Sequence, residues 1–176
     1  RKVYKNRILQ PRLMITSNYF KAHNLTFGME HYTDELTSDR FAGKGSHKML
    51  SRSLKETEYY LQDEWKISQQ WMATVGVRTN FSRQFGFMWM PTVAGKYSPA
   101  EHWSFRATYS KGYRSPSIKE LFFNWDHLGM FMVKGNEYLK PEKNNYFSVG
   151  AAYADDSSFI NATAYANMYK NKIEGV

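Results

Sequence analysis

The chain has 176 residues, of which 17% are aromatic and 23% charged. Its mean hydropathy of −0.64, with no apolar run near the roughly 20 residues of a spanning helix, excludes a helical membrane protein. It has no cysteine, hence no disulfide framework or thiolate metal site. Its formal charge of +8 is spread along the sequence and not gathered into the patch that nucleic-acid binding needs.

The bulky apolar residues alternate with polar ones, the mark of a sheet with two unlike faces. In chain order, strands are expected at about residues 10–20, 24–32, 53–68, 71–82, 89–98, 103–113, 146–153 and 159–170. The clearest is 71–82, where Trp71, Ala73, Val75, Val77 and Phe81 share one parity and Thr74, Arg78, Asn80 and Ser82 the other. A dozen residues of period two suffice for a tilted strand to cross a bilayer, which takes roughly 9–11. Pro11 and Pro91 are expected near strand beginnings, where a missing N–H is tolerated. Asp63 breaks the pattern by sharing a parity with Leu61 and Trp65, unless it lies at a membrane interface.

The expected connections alternate. Residues 20–23, 68–70, 98–101 and 154–158 are short, while 38–52, 83–88 and 114–145 are longer. Aromatic residues flank each short turn: Tyr19 and Phe20, Trp65 and Trp71, Tyr97 and Trp103, Tyr153 and Phe159. Tight turns on one side, long loops on the other and an aromatic girdle describe an antiparallel barrel of the bacterial outer membrane. A complete eight-stranded barrel with a structural or adhesive role is the alternative. A middle section of a larger barrel is preferred, because Arg1-Lys2-Val3-Tyr4 is no leader and Val176 is not the terminal aromatic that bacterial barrels often show.

Two boxes carry a family likeness. The stretch from Tyr109 to Phe122, containing Tyr113-Arg114-Ser115-Pro116-Ser117-Ile118-Lys119-Glu120-Leu121, resembles the YSKGFRAPSLKELY segment of TonB-dependent outer-membrane receptors. Gly135-Asn136-Glu137-Tyr138-Leu139-Lys140-Pro141-Glu142 resembles their GNPDLKPE segment. Gln62-Asp63-Glu64-Trp65 and Val75-Gly76-Val77-Arg78 look like recurrent strand segments of that family. The likeness implies a 22-stranded barrel with an N-terminal plug, of which residues 1–176 would supply about eight strands, without the plug. It also implies uptake of a metal chelate across the outer membrane, with energy from a TonB-type protein contacted through the missing N-terminal part. No intrinsic cofactor is implied. No nucleophile–base arrangement can be assembled by spacing, so no enzyme is expected.

Haem receptors of this family carry FRAP and NPDL boxes with a histidine between them. Here the boxes read Tyr113-Arg114-Ser115-Pro116 and Asn136-Glu137-Tyr138-Leu139, with His127 between. Imidazole is a standard haem axial ligand, so His127 is the candidate metal ligand. Haem is expected ahead of cobalamin or a siderophore. The expected ligand-binding set is Tyr113, Arg114, Phe123, Trp125, His127, Met130, Asn136 and Tyr138. For the apolar cluster of Phe122, Phe123, Trp125, Met130, Phe131 and Met132, packing of the loop on itself or on neighbouring loops is the other reading, and it ranks slightly ahead of a pocket wall.

Overall fold

The structure, a computed structural model, describes residues 4–43, 48–127 and 131–174. It is an antiparallel sheet of long strands, and no helix among the described residues is long and apolar enough to cross a membrane. The first strand position is shared by β1 (Tyr4–Leu9) and β2 (Arg12–Ser17), which both pair with β3 (His23–Ser38). Then follow β4 (Leu50–Lys66), β5 (Trp71–Ser82), β6 (Gly86–Ala100) and β7 (Trp103–Arg114). The connection after β7 holds α1 (Ile118–Phe122) and a small separate hairpin of β8 (Asn124–His127) and β9 (Phe131–Lys134). β10 (Glu142–Ala154) and β11 (Phe159–Lys170) complete the sheet.

Eight strand positions therefore stand side by side, and the sheet is open. The order runs from β1 through β3, β4, β5, β6, β7 and β10 to β11, and the first position does not pair with the last. The alternative of a closed eight-stranded barrel required that pairing.

Cross-strand rows show why the two faces differ. Phe27, Leu61, Val77 and Pro91 lie in register, as do Val93, Tyr109 and Phe147. Phe27, Leu61, Val77, Val93 and Phe147 are all exposed, on the face that meets lipid. The other parity brings Glu30 opposite Glu58 and Glu58 opposite Asn80, with Arg78 beside them. Asn80 is buried and donates to Glu58 at 3.2 Å and to Glu56 at 3.4 Å. Facing a hydrated lumen, such groups need no catalytic role. On this inner face Tyr60 lies across Gly28, where any side chain at 28 would collide with the ring.

The aromatic girdle stands at the short-turn rim. Trp71 stacks on Tyr97 at 4.4 Å, Trp103 meets Tyr153 at 5.1 Å and Tyr19 meets Phe20 at 5.4 Å. Asp63 falls in this layer. Its carboxylate is 2.7 Å from Nδ1 of His23, whose ring stacks on Trp65 at 5.4 Å. An outward-facing acid is thus partnered at headgroup depth, where charge can still reach water.

Four expectations change. Residues 83–88 are not a long loop: the turn is Arg83-Gln84-Phe85, closed by Gly86 at φ 76, so loop length does not alternate strictly. Only the connections at 39–49 and 115–141 are long. Pro91 is not at a strand beginning but inside β6, where the β6–β7 ladder stops at Thr92 opposite Ser110. Lacking an N–H, proline cannot donate to a ladder. Pro11 interrupts the first strand instead of starting it, and its carbonyl accepts from the His31 N–H at 3.0 Å.

Candidate functional site

The 115–141 connection does not simply extend away from the rim. Leu36 and Leu54 sit on the inner face at the loop end of β3 and β4, and Ile118 and Phe123 pack on them. Leu36, Ile118 and Leu121 are each only 1% exposed. Phe41, Phe85, Phe122 and Val133 surround this cluster. These are the main buried apolar contacts in a chain whose other large apolar residues mostly face outward.

Local chemistry explains the fold of the first box. Pro116 is buried and precedes the N-cap residue, outside the helix, so its missing N–H removes no helical hydrogen bond. Ser117 then caps α1: its Oγ accepts from the Glu120 N–H at 3.3 Å, and Glu120 accepts from the Ser117 N–H at 2.8 Å. Arg114 closes the arrangement with an ion pair to Glu120 at 2.6 Å. Burial opposes ionisation of Glu120, but the Ser117 N–H, the Arg114 guanidinium and the Ser117 hydroxyl outweigh it and hold the carboxyl below its ordinary pKa.

A group so lowered stabilises the folded loop above the ordinary carboxylate pKa, and the contribution fades as pH falls through the lowered value. Glu120→Gln is therefore expected to flatten the acid-side loss of loop protection and to weaken the loop at neutral pH by about 1 kcal/mol, the usual worth of a cap. Hydrogen exchange across 115–141 at several pH values would read both effects. An unchanged acid-side profile in the variant would assign the dependence to another group.

The second box returns to the first. The Gly135 N–H donates to the Phe123 carbonyl at 2.5 Å, and the Asn136 N–H donates to the Glu120 carbonyl at 2.9 Å. Asn136 Oδ1 accepts from the Tyr138 N–H at 2.9 Å, a local side-chain turn. A Cβ on Gly135 would stand 2.7 Å from the Leu121 carbonyl carbon, which fixes glycine there. The two boxes are thus one interlocked unit that seats the loop on the inner wall.

The expected site residues separate accordingly. Phe123 is 7% exposed and belongs to the packed cluster, and Arg114 and Asn136 are engaged within the boxes. Tyr113 is half-buried, and its hydroxyl has no hydrogen-bond partner. Asp34, Glu56 and Asn80, on the same inner wall, each keep one such buried oxygen. A polar lumen suits oxygens of this kind, since buried polar atoms ordinarily find a partner or water. Tyr138 is 91% exposed. Met130 and the side chain of His127 lie outside the described residues.

Two residues with no local sequence signal complete the layer. The Arg40 guanidinium lies 4.1 Å from the Trp125 ring centroid, and that of Arg52 lies 4.9 Å from the Phe122 ring. Arg40 comes from a one-turn 3-10 helix, Asp39–Phe41, in the 39–49 loop and Arg52 from β4, so only folding brings them to the 115–141 segment. Each guanidinium is attracted to the ring face it covers and keeps its charge, so this part of the loop layer is both cationic and aromatic.

Comparison with known proteins decides the family. The β-barrel profile of the TonB dependent receptor-like family matches residues 4–176. The chain belongs to the TonB-dependent receptor family. It is a piece of that family's outer-membrane β-barrel domain. It is 29% identical over 159 residues to the iron-regulated outer membrane virulence protein of Vibrio cholerae, covering 88% of this chain and 24% of the relative. With the ferric enterobactin receptor of Pseudomonas aeruginosa it shares 25% identity over 142 residues, covering 74% and 19%. The chain thus spans about a quarter or less of these relatives. A crystal structure of the Pseudomonas aeruginosa ferric enterobactin receptor superposes with a TM-score of 0.83 at 21% identity, covering 97% of this chain and 28% of that one. That last likeness concerns the fold.

Proposed function

We propose that this TonB-dependent receptor takes up an anionic ferric chelate of the siderophore type, energised by a TonB-type protein acting through parts of the receptor beyond this chain. The observation that carries the proposal is the cationic–aromatic layer of Arg40, Arg52, Phe122 and Trp125 beside the inner wall. An iron-bound catecholate is anionic and presents aromatic rings, so both parts of the layer have something to recognise. Relatives that match most of the chain bear names referring to iron regulation or ferric enterobactin, which favours this class over cobalamin.

In this reading Trp125 and Tyr138 meet the ligand, while Tyr113, Arg114, Phe123 and Asn136 hold the loop that presents them. Haem is the second reading. It is favoured by the FRAP-like and NPDL-like boxes flanking His127. It is also favoured by a 29% identity over 69 residues to a haemoglobin and haemoglobin-haptoglobin-binding protein of Haemophilus influenzae, although that match spans only 39% of this chain.

Binding of ferric enterobactin, haemin and cyanocobalamin to the full-length receptor tests the choice. Ferric enterobactin is expected to bind most tightly, and the double variant Arg40→Ala, Arg52→Ala to lose about tenfold in affinity, from two charge contacts with the anionic ligand worth roughly 0.2–1 kcal/mol each. His127→Ala is expected to leave that affinity unchanged. A receptor that prefers haemin and loses its Soret shift in His127→Ala would establish the haem reading instead.

A further inference from the structure

The inner wall is unevenly charged. On the inward parity of β3 and β4 stand Glu30, Asp34, Glu56 and Glu58, with Arg78 of β5 beside them. The inward parity of β6, β7, β10 and β11 holds no carboxylate between Glu142, at the loop end, and the short turns. On β10 and β11 it is polar and neutral. Tyr146 and Tyr165 stack at 6.3 Å, while Asn144 donates to Asn167 and Asn167 to the Tyr169 hydroxyl, both at 2.8 Å.

This carboxylate-free wall ends in two cations. Lys96, Arg106, Gly150 and Thr163 form one row across four strands. A concavity of about 450 Å³ opens over the row, with small residues such as Ser104 and Ser148 in its floor. A Cβ on Gly150 would stand 3.1 Å from the Thr163 hydroxyl, so glycine keeps the floor low.

Lys96 and Arg106 stand directly opposite each other, which is unfavourable for like charges. Among the described residues neither has an ion-pair partner, and Glu101, which also lines the concavity, pairs with neither. Two opposed cations without a counter-ion, over an open floor, favour an anion. Lys96 adjoins Tyr97, and Arg106 is three residues from Trp103, both in the girdle. The pair therefore lies at the periplasmic end of the lumen, away from Arg40 and Arg52.

We propose that Lys96 and Arg106 form an exit-side station that holds the anionic ferric chelate by its charge once it has left the loop layer. The station rests on the uptake reading and adds a second site to it. Charge sets the route: a polyanion is repelled by the acidic β3–β4 wall and drawn along the neutral β10–β11 wall to the two cations.

Uptake of radio-iron-labelled ferric enterobactin by cells carrying the full-length receptor tests the station. Lys96→Gln, Arg106→Gln is expected to lower the maximum uptake rate at least about fivefold, from the loss of two charge contacts. Arg40→Ala, Arg52→Ala, in contrast, should act chiefly on KM. Lys96→Arg, Arg106→Lys should keep the wild-type rate, since both charges remain. A glutamine variant as fast as wild type, a swapped variant as slow as the glutamine one, or an effect confined to KM would each overturn the station. If the two cations instead held a carboxylate from another part of the receptor, the glutamine variant would admit vancomycin with no chelate present, and that permeability would also overturn it. If the double glutamine variant does not assemble, as read from its heat-modifiable gel mobility, the two single variants replace it. Each should then lose about twofold in rate, and no loss in either would count against the station. A wild-type receptor that does not take up ferric enterobactin would overturn the uptake reading and the station together. Normal wild-type uptake with an unaffected glutamine variant would remove the station alone.

Discussion

Ile118→Asp is expected to detach the whole 115–141 segment from the inner wall. Ile118 is 1% exposed and packs with Leu36, Leu54 and Phe123 in the cluster that joins the loop to β3 and β4. A carboxylate there has no partner, and burying an unpaired charge costs far more than one packed side chain returns. Ile118→Ala is the milder form and removes about 2–5 kcal/mol, the usual cost of truncating a buried aliphatic residue. The barrel strands keep their own ladders, so the loss should be local. Limited proteolysis of the full-length receptor should cut within 115–141 in Ile118→Asp, while the heat-modifiable gel mobility of the barrel persists. Because the loop carries Trp125, ferric enterobactin affinity should fall by at least the tenfold expected for Arg40→Ala, Arg52→Ala. Protection and affinity equal to wild type would mean that this cluster is not what seats the loop.

The second large effect is expected at Gly135. An added methyl would stand 2.7 Å from both the carbon and the oxygen of the Leu121 carbonyl and 2.8 Å from the Phe122 nitrogen. These are backbone atoms of the helix end, held on either side by the hydrogen bonds that the Gly135 and Asn136 N–H groups donate to the Phe123 and Glu120 carbonyls. They cannot move aside without opening those bonds. Gly135→Ala should therefore destabilise the seated loop by about 1–3 kcal/mol, the range for overpacking, and Gly135→Val by more. The contrast is Gly28, where the group in the way is the Tyr60 ring, a side chain that can rotate out. Gly28→Ala should cost less than Gly135→Ala, and hydrogen exchange over 115–141 should be raised only by the latter. If Gly28→Ala loosened the loop as much, the close approach at Gly135 would not be the cause.

Much of the barrel was legible because period-two alternation is a property of neighbouring residues. Strands β5 and β11 begin and end where the alternation of 71–82 and 159–170 places them. The girdle was legible for a similar reason, since aromatics beside short turns need no distant partner to be recognised. The miss at 83–88 was a matter of turn chemistry: Gly86 takes a positive φ and lets β6 start three residues before Trp89. β1 was missed because Tyr4–Leu9 does not alternate: Lys5, Asn6 and Arg7 are consecutive polar residues, followed by Ile8 and Leu9 side by side.

The loop was legible as motif but not as arrangement. Ser117 with Glu120 three residues on is a local capping signature, visible in sequence. That Glu120 also pairs with Arg114, and that its carbonyl receives the Asn136 N–H, needed the fold to bring the two boxes together. The same holds for Arg40 on Trp125 and for Lys96 and Arg106 around one concavity.

Sequence alone therefore determined the class of protein, the two faces of its strands, the rim that holds the aromatic girdle and the family. Each of these rests on spacing along one chain, where period, turn residues and short motifs act locally. Tertiary structure alone decided that the longest loop folds onto the inner wall, and that Asp63 is held by His23 at the interface. Those features depend on contacts between residues tens of positions apart, such as Leu36 with Ile118, and no local pattern encodes which distant side chain will fill a given place.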